Sequence, residues 1–302
     1  MTDVSKAILI SGCSTGIGHA TALRLVRAGH TVYATARRVE SLADLREAGA
    51  QTLALDVTDD ASMTAAVQHV IDEQGAVGVL INNAGYSQSG AMESLSMEDL
   101  RRQFETNVFG LVRMCQLVLP GMRQQHWGRI VNISSMGANF TFPGGGAYHA
   151  SKYAVEAISD ALRFEVKGFG VDVVVIQPGL IRTEFAATAQ TGLGNDDGPY
   201  ADFNAAVGAA TEEAYAKGPL AKLGGGPDSV AKAVEKAITA KRPPIRMRVT
   251  PSAHLLIGVN GLMPDGMWDR FLSAQFPTVA WLHLFAPFAY FVVPFSPSII
   301  VC

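Results

Sequence analysis

The amino-acid sequence predicts an α/β protein with a doubly wound parallel sheet of about seven strands and helices on both faces. Between residues 6 and 177, short runs rich in β-branched residues alternate with longer amphipathic segments, as in repeated strand–helix–strand units. Several of the short runs are apolar almost throughout, as in Val171-Asp-Val-Val-Val-Ile176. Strands of that kind suit a sheet that helices cover on both sides.

The elements follow one another in a regular order. The strand candidates are Lys6–Ser11, Thr31–Ala36, Gln51–Asp56, Val77–Asn82, Gly128–Ser134 and Val171–Gln177, with an edge strand at Arg246–Thr250. The helix candidates are Gly18–Ala28, Asp59–Glu73, Met97–Gln124, Tyr148–Gly168 and Asp228–Ala240. We therefore expect a single domain over residues 1–270.

Two segments depart from the alternation. Residues 184–226 form a long connection rich in Ala and Gly, and a connection of that length inside a compact domain is usually functional. We expect it to cover a substrate site as a lid. The tail Phe271–Cys302 has no Asp, Glu, Lys or Arg, and prolines interrupt its longest apolar run. Packing on its own domain or on a partner subunit is favoured for this tail, ahead of peripheral membrane contact through residues 277–302 and of a true span.

Composition excludes several classes of protein. The chain has 302 residues, of which 48% are hydrophobic and 17% charged, unlike a disordered chain. The 24 basic and 27 acidic side chains leave a net charge of −3, which gives no electrostatic basis for binding nucleic acid. Three cysteines are too few for a disulfide framework, and the seven histidines form no metal-ligand cluster. These counts favour a reducing, cytoplasmic location and a metal-free site, and no signal peptide is recognisable at the N-terminus.

A glycine-rich turn, Ser11-Gly-Cys-Ser-Thr-Gly-Ile-Gly18, joins the first strand to the first helix. Glycines at positions 12, 16 and 18 allow a tight turn and a close approach of a pyrophosphate to the backbone. The helix N-terminus then offers free N–H groups and a positive dipole end to the phosphates. Its place between strand and helix makes this turn a strong signal for a dinucleotide.

The end of the second strand bears on which dinucleotide is bound. Ala36 stands where an NAD site usually has an acidic residue for the ribose 2′-hydroxyl, and Arg37 and Arg38 follow. Because arginine accommodates a 2′-phosphate, NADP(H) is favoured over NAD(H). Asp56 ends the third strand, where it could bind the adenine amino group or cap the next helix.

Tyr148 and Lys152 stand four residues apart and therefore share a helical face. A free phenol has a pKa of about 10, which a neighbouring ammonium lowers. Such a phenol can protonate the oxygen of a carbonyl that receives a hydride, while a serine hydroxyl from the preceding strand end, Ser134 or Ser135, stabilises the same oxygen.

This ordered set resembles the short-chain dehydrogenase/reductases, in the shorter branch whose cofactor loop has the spacing Thr-Gly-x-x-x-Gly-x-Gly. Ser11 replaces the threonine and keeps its hydroxyl. The resemblance covers roughly residues 5–185 and implies a Rossmann-type fold. It selects Ser135, thirteen residues before Tyr148, as the catalytic serine, and it places the catalytic asparagine at Asn107, where it would hold a water in a proton relay.

The resemblance also implies the complete site. The catalytic residues are Asn107, Ser135, Tyr148 and Lys152. The cofactor-binding residues are Gly12, Ser14, Thr15, Gly16, Ile17, Gly18, Arg37, Arg38, Asp56, Val57, Asn83, Ala84, Gly85, Tyr148, Lys152, Pro178, Gly179 and Thr183. Many relatives associate through the long helix, so a homo-oligomer is expected; Met114, Leu117 and Val118 on that helix are either core or dimer face.

The substrate follows from the apolar residues around this set, which are Met136, Phe140, Phe142, Leu180, Phe185, Leu193, Tyr200 and Phe203. Such a pocket favours a bulky hydrophobic carbonyl or alcohol of steroid, retinoid or fatty type. By resemblance the chain is nearest to hydroxysteroid and retinol dehydrogenases, which suits lipid metabolism. Three alternatives stay open: a redox sensor that binds NADP(H) without turnover, a reductase of small aromatic or aliphatic carbonyls, and, less favoured, a nucleotide-sugar epimerase or dehydratase.

Overall fold

The protein folds around one seven-stranded parallel sheet with the strand order β3-β2-β1-β4-β5-β6-β7. A computed structural model describes residues 4–183, 198–217, 219–273 and 276. The strands are β1 Ile8–Ile10, β2 Val32–Ala36, β3 Gln51–Ala54, β4 Val79–Asn82, β5 Gly128–Ile133, β6 Val171–Pro178 and β7 Arg246–Val249. The predicted sheet, including its edge strand, is confirmed.

Ten helices accompany these strands in the described part of the chain. They are α1 Gly16–Arg27, α2 Ala43–Glu47, α3 Asp60–Gln74, α4 Met97–Phe104, α5 Gly110–Gln124, α6 Gly146–Val166, α7 Ala201–Glu212, α8 Pro227–Thr239, α9 Pro251–Leu262 and α10 Asp265–Ser273. Each of the five predicted helices is present, with ends that differ by a few residues. The elements α2, α7, α9 and α10 were not predicted.

Helices cover both faces of the sheet, as its apolar strands require. In β1, Ile8 and Ile10 belong to one buried cluster, together with side chains of α1 and α8. Leu9 points to the opposite face and belongs to a second cluster with side chains of α3, α5 and α6. Met114 and Val118 are buried in this second cluster, so the structure places them in the core and not on an exposed dimer face.

The predicted helix Met97–Gln124 is interrupted by a wide helical turn, Glu105–Phe109, between α4 and α5. Gly110 follows this turn and packs so closely on Val57 that a Cβ atom would overlap the Val57 carbonyl oxygen. Wide turns of this type occur frequently at functional sites. Asn107 lies in this turn, so the irregularity sets the position of a predicted site residue.

A third apolar cluster lies beyond the carboxyl ends of the central strands. Leu256 of α9 and Trp268 of α10 pack there with Met136, Phe140 and Leu180. Phe276 reaches the same cluster, with its ring centroid 6.3 Å from that of Phe142. Among the described residues, no helix is both long enough and apolar enough to cross a membrane. The predicted membrane contact of residues 277–302 lies outside the described residues.

Candidate active site

A cavity of about 570 Å³ opens at the carboxyl ends of the strands, where parallel sheets of this order bind their ligands. Most of the predicted cofactor-binding residues line it. They are Gly12, Ser14, Thr15, Gly16, Ile17, Arg37, Asp56, Val57, Asn83, Ala84, Gly85, Tyr148, Lys152, Pro178, Gly179 and Thr183. Gly18 and Arg38 are absent from the wall that the described residues form, so neither position contacts the cavity directly.

Gly18 serves the turn by its packing. A Cβ atom on Gly18 would overlap the carbonyl oxygen of Gly12 and the side-chain nitrogen of Asn83. Asn83 in turn donates from Nδ2 to the carbonyl oxygens of Ser11 and Gly12, over 3.0 and 2.9 Å. The Ser11 hydroxyl accepts hydrogen bonds from the backbone N–H groups of Asn83 and Ala84. The loop after β4 thus fixes the glycine turn, and Gly18 lets α1 come close to it.

The two arginines after β2 differ in their placement. Both side chains are exposed, but only Arg37 reaches the cavity. Asp56 also lines the cavity, and its carboxylate accepts hydrogen bonds from the backbone N–H and the hydroxyl of Thr58. The cap of α3 is Asp59, whose carboxylate accepts from the Ala61 N–H. The alternative that Asp56 caps this helix is therefore wrong.

Ser135 and Tyr148 meet at the inner end of the cavity. Ser135 follows β5, and its Oγ accepts the N–H of Gly137 over 3.1 Å. Tyr148 lies in the first turn of α6 and is hydrogen-bonded to Ser135. Burial raises the pKa of Tyr148 above that of a free phenol, the hydrogen bond with Ser135 acts in the opposite direction, and Tyr215 raises it further.

Lys152 lies one helical turn beyond Tyr148, with its Nζ 5.8 Å from the centre of the tyrosine ring. The Nζ donates a hydrogen bond to the carbonyl oxygen of Ile133 over 2.9 Å. Burial lowers the pKa of Lys152 to about 8, and the carboxylate of Glu156 acts against this shift. Burial therefore favours the neutral forms of both Lys152 and Tyr148. The expected lowering of the Tyr148 pKa by Lys152 is not seen in this structure.

The Asn107 side chain is buried behind the cavity wall, where it hydrogen-bonds Tyr86 and Ser151. Its Nδ2 donates to the Tyr86 carbonyl oxygen and to the Ser151 hydroxyl, each over 3.0 Å. Its Oδ1 accepts the Tyr86 N–H over 3.1 Å. The side chain does not line the cavity among the described residues, although it lies close behind Gly85. Its predicted water-holding role stays a prediction, and its observed contacts position the loop at residues 85–86.

A second, largely apolar cavity of about 130 Å³ adjoins the first. Three residues of the described chain line both cavities, namely Ser135, Tyr148 and Tyr215. Ser134 lines only the larger one, which agrees with the choice of Ser135. Apolar side chains dominate the remaining wall, which includes Met136, Phe142, Leu180, Val207, Leu220, Leu256 and Phe276.

The predicted substrate residues divide into three groups. Met136, Phe142 and Leu180 line the second cavity as expected. Phe140 instead packs behind the wall on Trp268, and the Tyr200 hydroxyl bonds the exposed Glu93. Phe203 is likewise not part of the described wall and packs on Tyr200. Phe185 and Leu193 lie outside the described residues.

His149 follows Tyr148 in α6 and lines the second cavity. Its Nδ1 makes a hydrogen bond with the Gly137 carbonyl oxygen over 2.7 Å, so Nδ1 carries the proton. Burial lowers the pKa of His149, and the ring is in the wall of the second cavity. The His149 side chain thus both bonds the backbone after β5 and forms part of the wall of the second cavity.

Sequence reasoning missed several cavity residues. Tyr86, Arg102 and Thr106 line the larger cavity, and the Arg102 Nε donates to the Tyr86 hydroxyl over 3.3 Å. Tyr215 and Phe276 were also missed. The available local signals were the positions of Thr106 next to Asn107 and of Tyr86 next to Gly85. The others come from segments whose placement depends on tertiary packing.

Known proteins are similar to this chain in sequence and in fold. A family model described as short chain dehydrogenase matches residues 6–193. A 3-ketodihydrosphingosine reductase from Bacteroides thetaiotaomicron is 38% identical, over 87% of this chain and 94% of the relative. A bovine retinol dehydrogenase 8 is 32% identical, over 88% of each chain. A solved serine dehydrogenase in complex with NADP+ is 30% identical with a TM-score of 0.71, and covers 81% of this chain and 94% of its own.

Proposed function

The chain belongs to the short-chain dehydrogenase family and is an NAD(P)-dependent oxidoreductase of CH–OH groups, and on that premise we propose that it transfers a hydride between NADP(H) and a bulky hydrophobic carbonyl or alcohol of steroid, retinoid or fatty type. The observation that carries this proposal is the meeting of two cavities at Ser135 and Tyr148. One cavity is lined by a glycine turn and a cationic side chain, and the other is largely apolar.

The larger cavity fits a dinucleotide. A Cβ atom on Gly12 would lie 2.9 Å from the Ala84 Cα, so this position of the turn needs glycine because the loop after β4 packs directly against it. The N–H groups at the start of α1 would bind the pyrophosphate, and Arg37 would bind the 2′-phosphate of NADP(H). Thr183 and Lys152 would contact the nicotinamide end. When bound there, the nicotinamide ring supplies the hydride.

The side chains at the junction of the cavities donate the proton and stabilise the charge that develops on oxygen. In the direction of reduction, the carbonyl carbon accepts a hydride and its oxygen gains negative charge. Tyr148 donates its phenolic proton to that oxygen, and Ser135 donates a hydrogen bond to the same atom. Lys152, held on the Ile133 carbonyl, stabilises the phenolate that remains until a proton from solvent restores it. Oxidation of the alcohol uses the same atoms in reverse.

The apolar cavity supports a hydrophobic substrate. Its wall excludes water around the reacting carbon and offers aliphatic and aromatic contacts to a chain or ring system. Two relatives are named for a sphingoid ketone and for retinol, both of them lipids. The serine dehydrogenase keeps a second candidate open, a reductase of small carbonyls, because its named substrate is small and polar. A non-catalytic redox sensor is the third candidate.

We expect a homo-oligomer and a cytoplasmic location. Phe164 on α6 is 72% exposed, and Tyr153 lies three turns earlier on the same face of that helix, also exposed. An exposed aromatic pair of this kind suits a second copy of the chain, which sedimentation of the purified protein would detect.

Membrane contact through residues 277–302 rests on composition alone. Fractionation of cells that express the full chain, or a chain ending at residue 276, tests it.

Loss of absorbance from NADPH, and separately from NADH, tests the proposed function with steroid, retinoid, fatty, small polar and aromatic carbonyls. We expect turnover of the hydrophobic carbonyls with NADPH. The Tyr148→Phe variant removes the proton donor and is expected to lower kcat by a factor on the order of 1,000, with NADPH binding retained. Turnover of small polar carbonyls alone would overturn the substrate class. Cofactor binding without any turnover would favour the redox sensor.

A further inference from the structure

Tyr215 lies at the junction of the two cavities, where hydride transfer would occur. It belongs to the wide helical turn Glu213–Lys217 that follows α7. With Ser135 and Tyr148 it completes the set of three described residues that line both cavities. It is also close enough to Tyr148 to raise the pKa of that phenol. A second phenol therefore faces the space that the reacting carbon would occupy.

The position of Tyr215 is fixed by contacts of α7 with two loops. Asn204 accepts the backbone N–H of Ala91 on its Oδ1 over 3.1 Å. Val207 packs so closely on Gly144 that a Cβ atom there would lie 2.6 Å from a Val207 methyl carbon. The Tyr215 ring itself packs against the third apolar cluster. These contacts hold the ring without using its hydroxyl.

Burial raises the pKa of Tyr215 to about 12, and no hydrogen bond to its hydroxyl among the described residues offsets this shift. The hydroxyl is therefore a neutral donor and acceptor at physiological pH. The Tyr215 side chain is half-buried and lines both cavities, so a ligand bound at their junction can reach its hydroxyl. The carbonyl oxygen of a substrate has two lone pairs, and Ser135 and Tyr148 use both. The third hydroxyl is therefore available to a different polar atom close to the reacting carbon.

We propose that Tyr215 is a specificity-determining residue whose hydroxyl hydrogen-bonds a polar substituent on the carbon next to the reacting carbonyl. This inference rests on the proposed function and names its substrate more closely, as an amphipathic ketone. The polar end, with the carbonyl and its neighbouring hydroxyl or amine, lies at Ser135, Tyr148 and Tyr215. The hydrocarbon part lies among Phe142, Leu256 and the other apolar side chains of the second cavity.

Two long-chain ketones of equal length test the inference, one with a hydroxyl on the carbon next to the carbonyl and one without. The wild-type protein is expected to favour the hydroxyketone in kcat/KM. Tyr215→Phe keeps the ring and removes the hydroxyl, so kcat/KM for the hydroxyketone should fall about tenfold, while that for the plain ketone stays within about twofold. Tyr200→Phe is the matched control, because its hydroxyl bonds Glu93 outside the cavity wall, and it should leave the ratio unchanged.

Several outcomes overturn the inference. Equal turnover of the two ketones by the wild-type protein does so without any variant, and so does an equal fall for both ketones in Tyr215→Phe. A large loss of NADPH affinity in Tyr215→Phe, measured by fluorescence titration, would place the hydroxyl on the cofactor. Failure of the wild-type protein to reduce either ketone, or any other hydrophobic carbonyl, is a distinct result, since it overturns the proposed function as well.

Discussion

Lys152 donates a hydrogen bond from its Nζ to the backbone carbonyl oxygen of Ile133, the last residue of β5, over 2.9 Å. The bond ties the start of α6 to the strand that leads into Ser135, and so it sets the distance between the two elements that carry the proton donor and the serine. It also holds an ammonium where little water reaches it, since Lys152 is only 6% exposed. Burial accordingly lowers the pKa of Lys152 to about 8.

This shift predicts how stability depends on pH. Between pH 8 and about 10.5, the unfolded chain keeps a proton on this lysine that the folded chain releases, so the free energy of unfolding should rise with pH. The slope is up to about 1.4 kcal/mol per pH unit. Urea unfolding of the wild-type protein and of Lys152→Met, from pH 7 to 9.5, measures the effect as the difference between the two. Other titrating groups cancel in that difference.

Lys232→Met is the matched control, because the Lys232 side chain is 62% exposed and is not subject to the burial that acts on Lys152. A difference that does not change with pH for Lys152→Met would show that Lys152 keeps its ordinary pKa in the folded protein.

Gly18→Ala tests the packing of the glycine turn. The new Cβ would overlap the Gly12 carbonyl oxygen and the Asn83 side chain, so α1 must move away from the turn. We expect a loss of about 1–3 kcal/mol in the free energy of unfolding and weaker NADPH binding, because the start of α1 supplies the phosphate-binding N–H groups. Gly168→Ala is the control, since a Cβ there has open space. Equal behaviour of the two variants would contradict the packing role of Gly18.

Local patterns in the sequence were enough for the sheet and for much of the site. The five inner strands are recognisable as short, largely apolar runs, because buried parallel strands leave little choice of residue type, whereas the edge strands β3 and β7 are partly exposed. The glycine turn and the pair Tyr148 and Lys152 depend on spacing within one turn or one helix face, which the sequence shows directly. The bounds shifted by a few residues, as in α1, which begins at Gly16 and not at Gly18.

The rest depends on contacts between distant segments. Tyr215 comes next to Tyr148 because α7 packs on the loops around Ala91 and Gly144. No local sequence pattern predicts that packing. The wide turn that carries Asn107 has the composition of an ordinary helix. Its shape follows from close packing on Val57 and from the hydrogen bonds of Asn107 to Tyr86. The effect of burial on the pKa values of Lys152 and Tyr148 likewise depends on the packed structure. Spacing alone therefore predicted a lowered pKa for Tyr148, whereas burial raises it.

Arg37 should determine the preference for NADPH. It lines the cofactor cavity directly after β2, whereas Arg38, which is also exposed, does not. Arg37→Ala removes the cation that we expect on the 2′-phosphate, and it should raise the Kd of NADPH about tenfold or more while that of NADH changes little. Arg38→Ala changes the net charge by the same amount and should leave both values within about twofold. A similar loss in both variants would indicate only a general electrostatic attraction.

Arg129 should stabilise the fold without affecting the chemistry. Its guanidinium lies under the end of α8, where one nitrogen donates to the carbonyl oxygens of Ala237, Ile238 and Ala240 over 2.8–3.0 Å. The other terminal nitrogen bonds Asp172, the cross-strand neighbour of Arg129 in β6. Its side chain is 5% exposed, so Arg129→Met leaves these carbonyl groups without a donor and without ready access to water. We expect a loss of about 2–4 kcal/mol in the free energy of unfolding.

Arg113→Met is the matched control for this prediction, because Arg113 also pairs with an aspartate but lies on the surface opposite Asp60. An exposed pair of this kind contributes about 1 kcal/mol or less, so urea unfolding should separate the two arginines clearly. Equal losses would mean that the helix end does not depend on the buried guanidinium. Arg129 lies outside both cavities, so Arg129→Met and the wild-type protein should have the same kcat with NADPH at a temperature well below unfolding. That result distinguishes a residue that stabilises the fold from one that acts on the substrate.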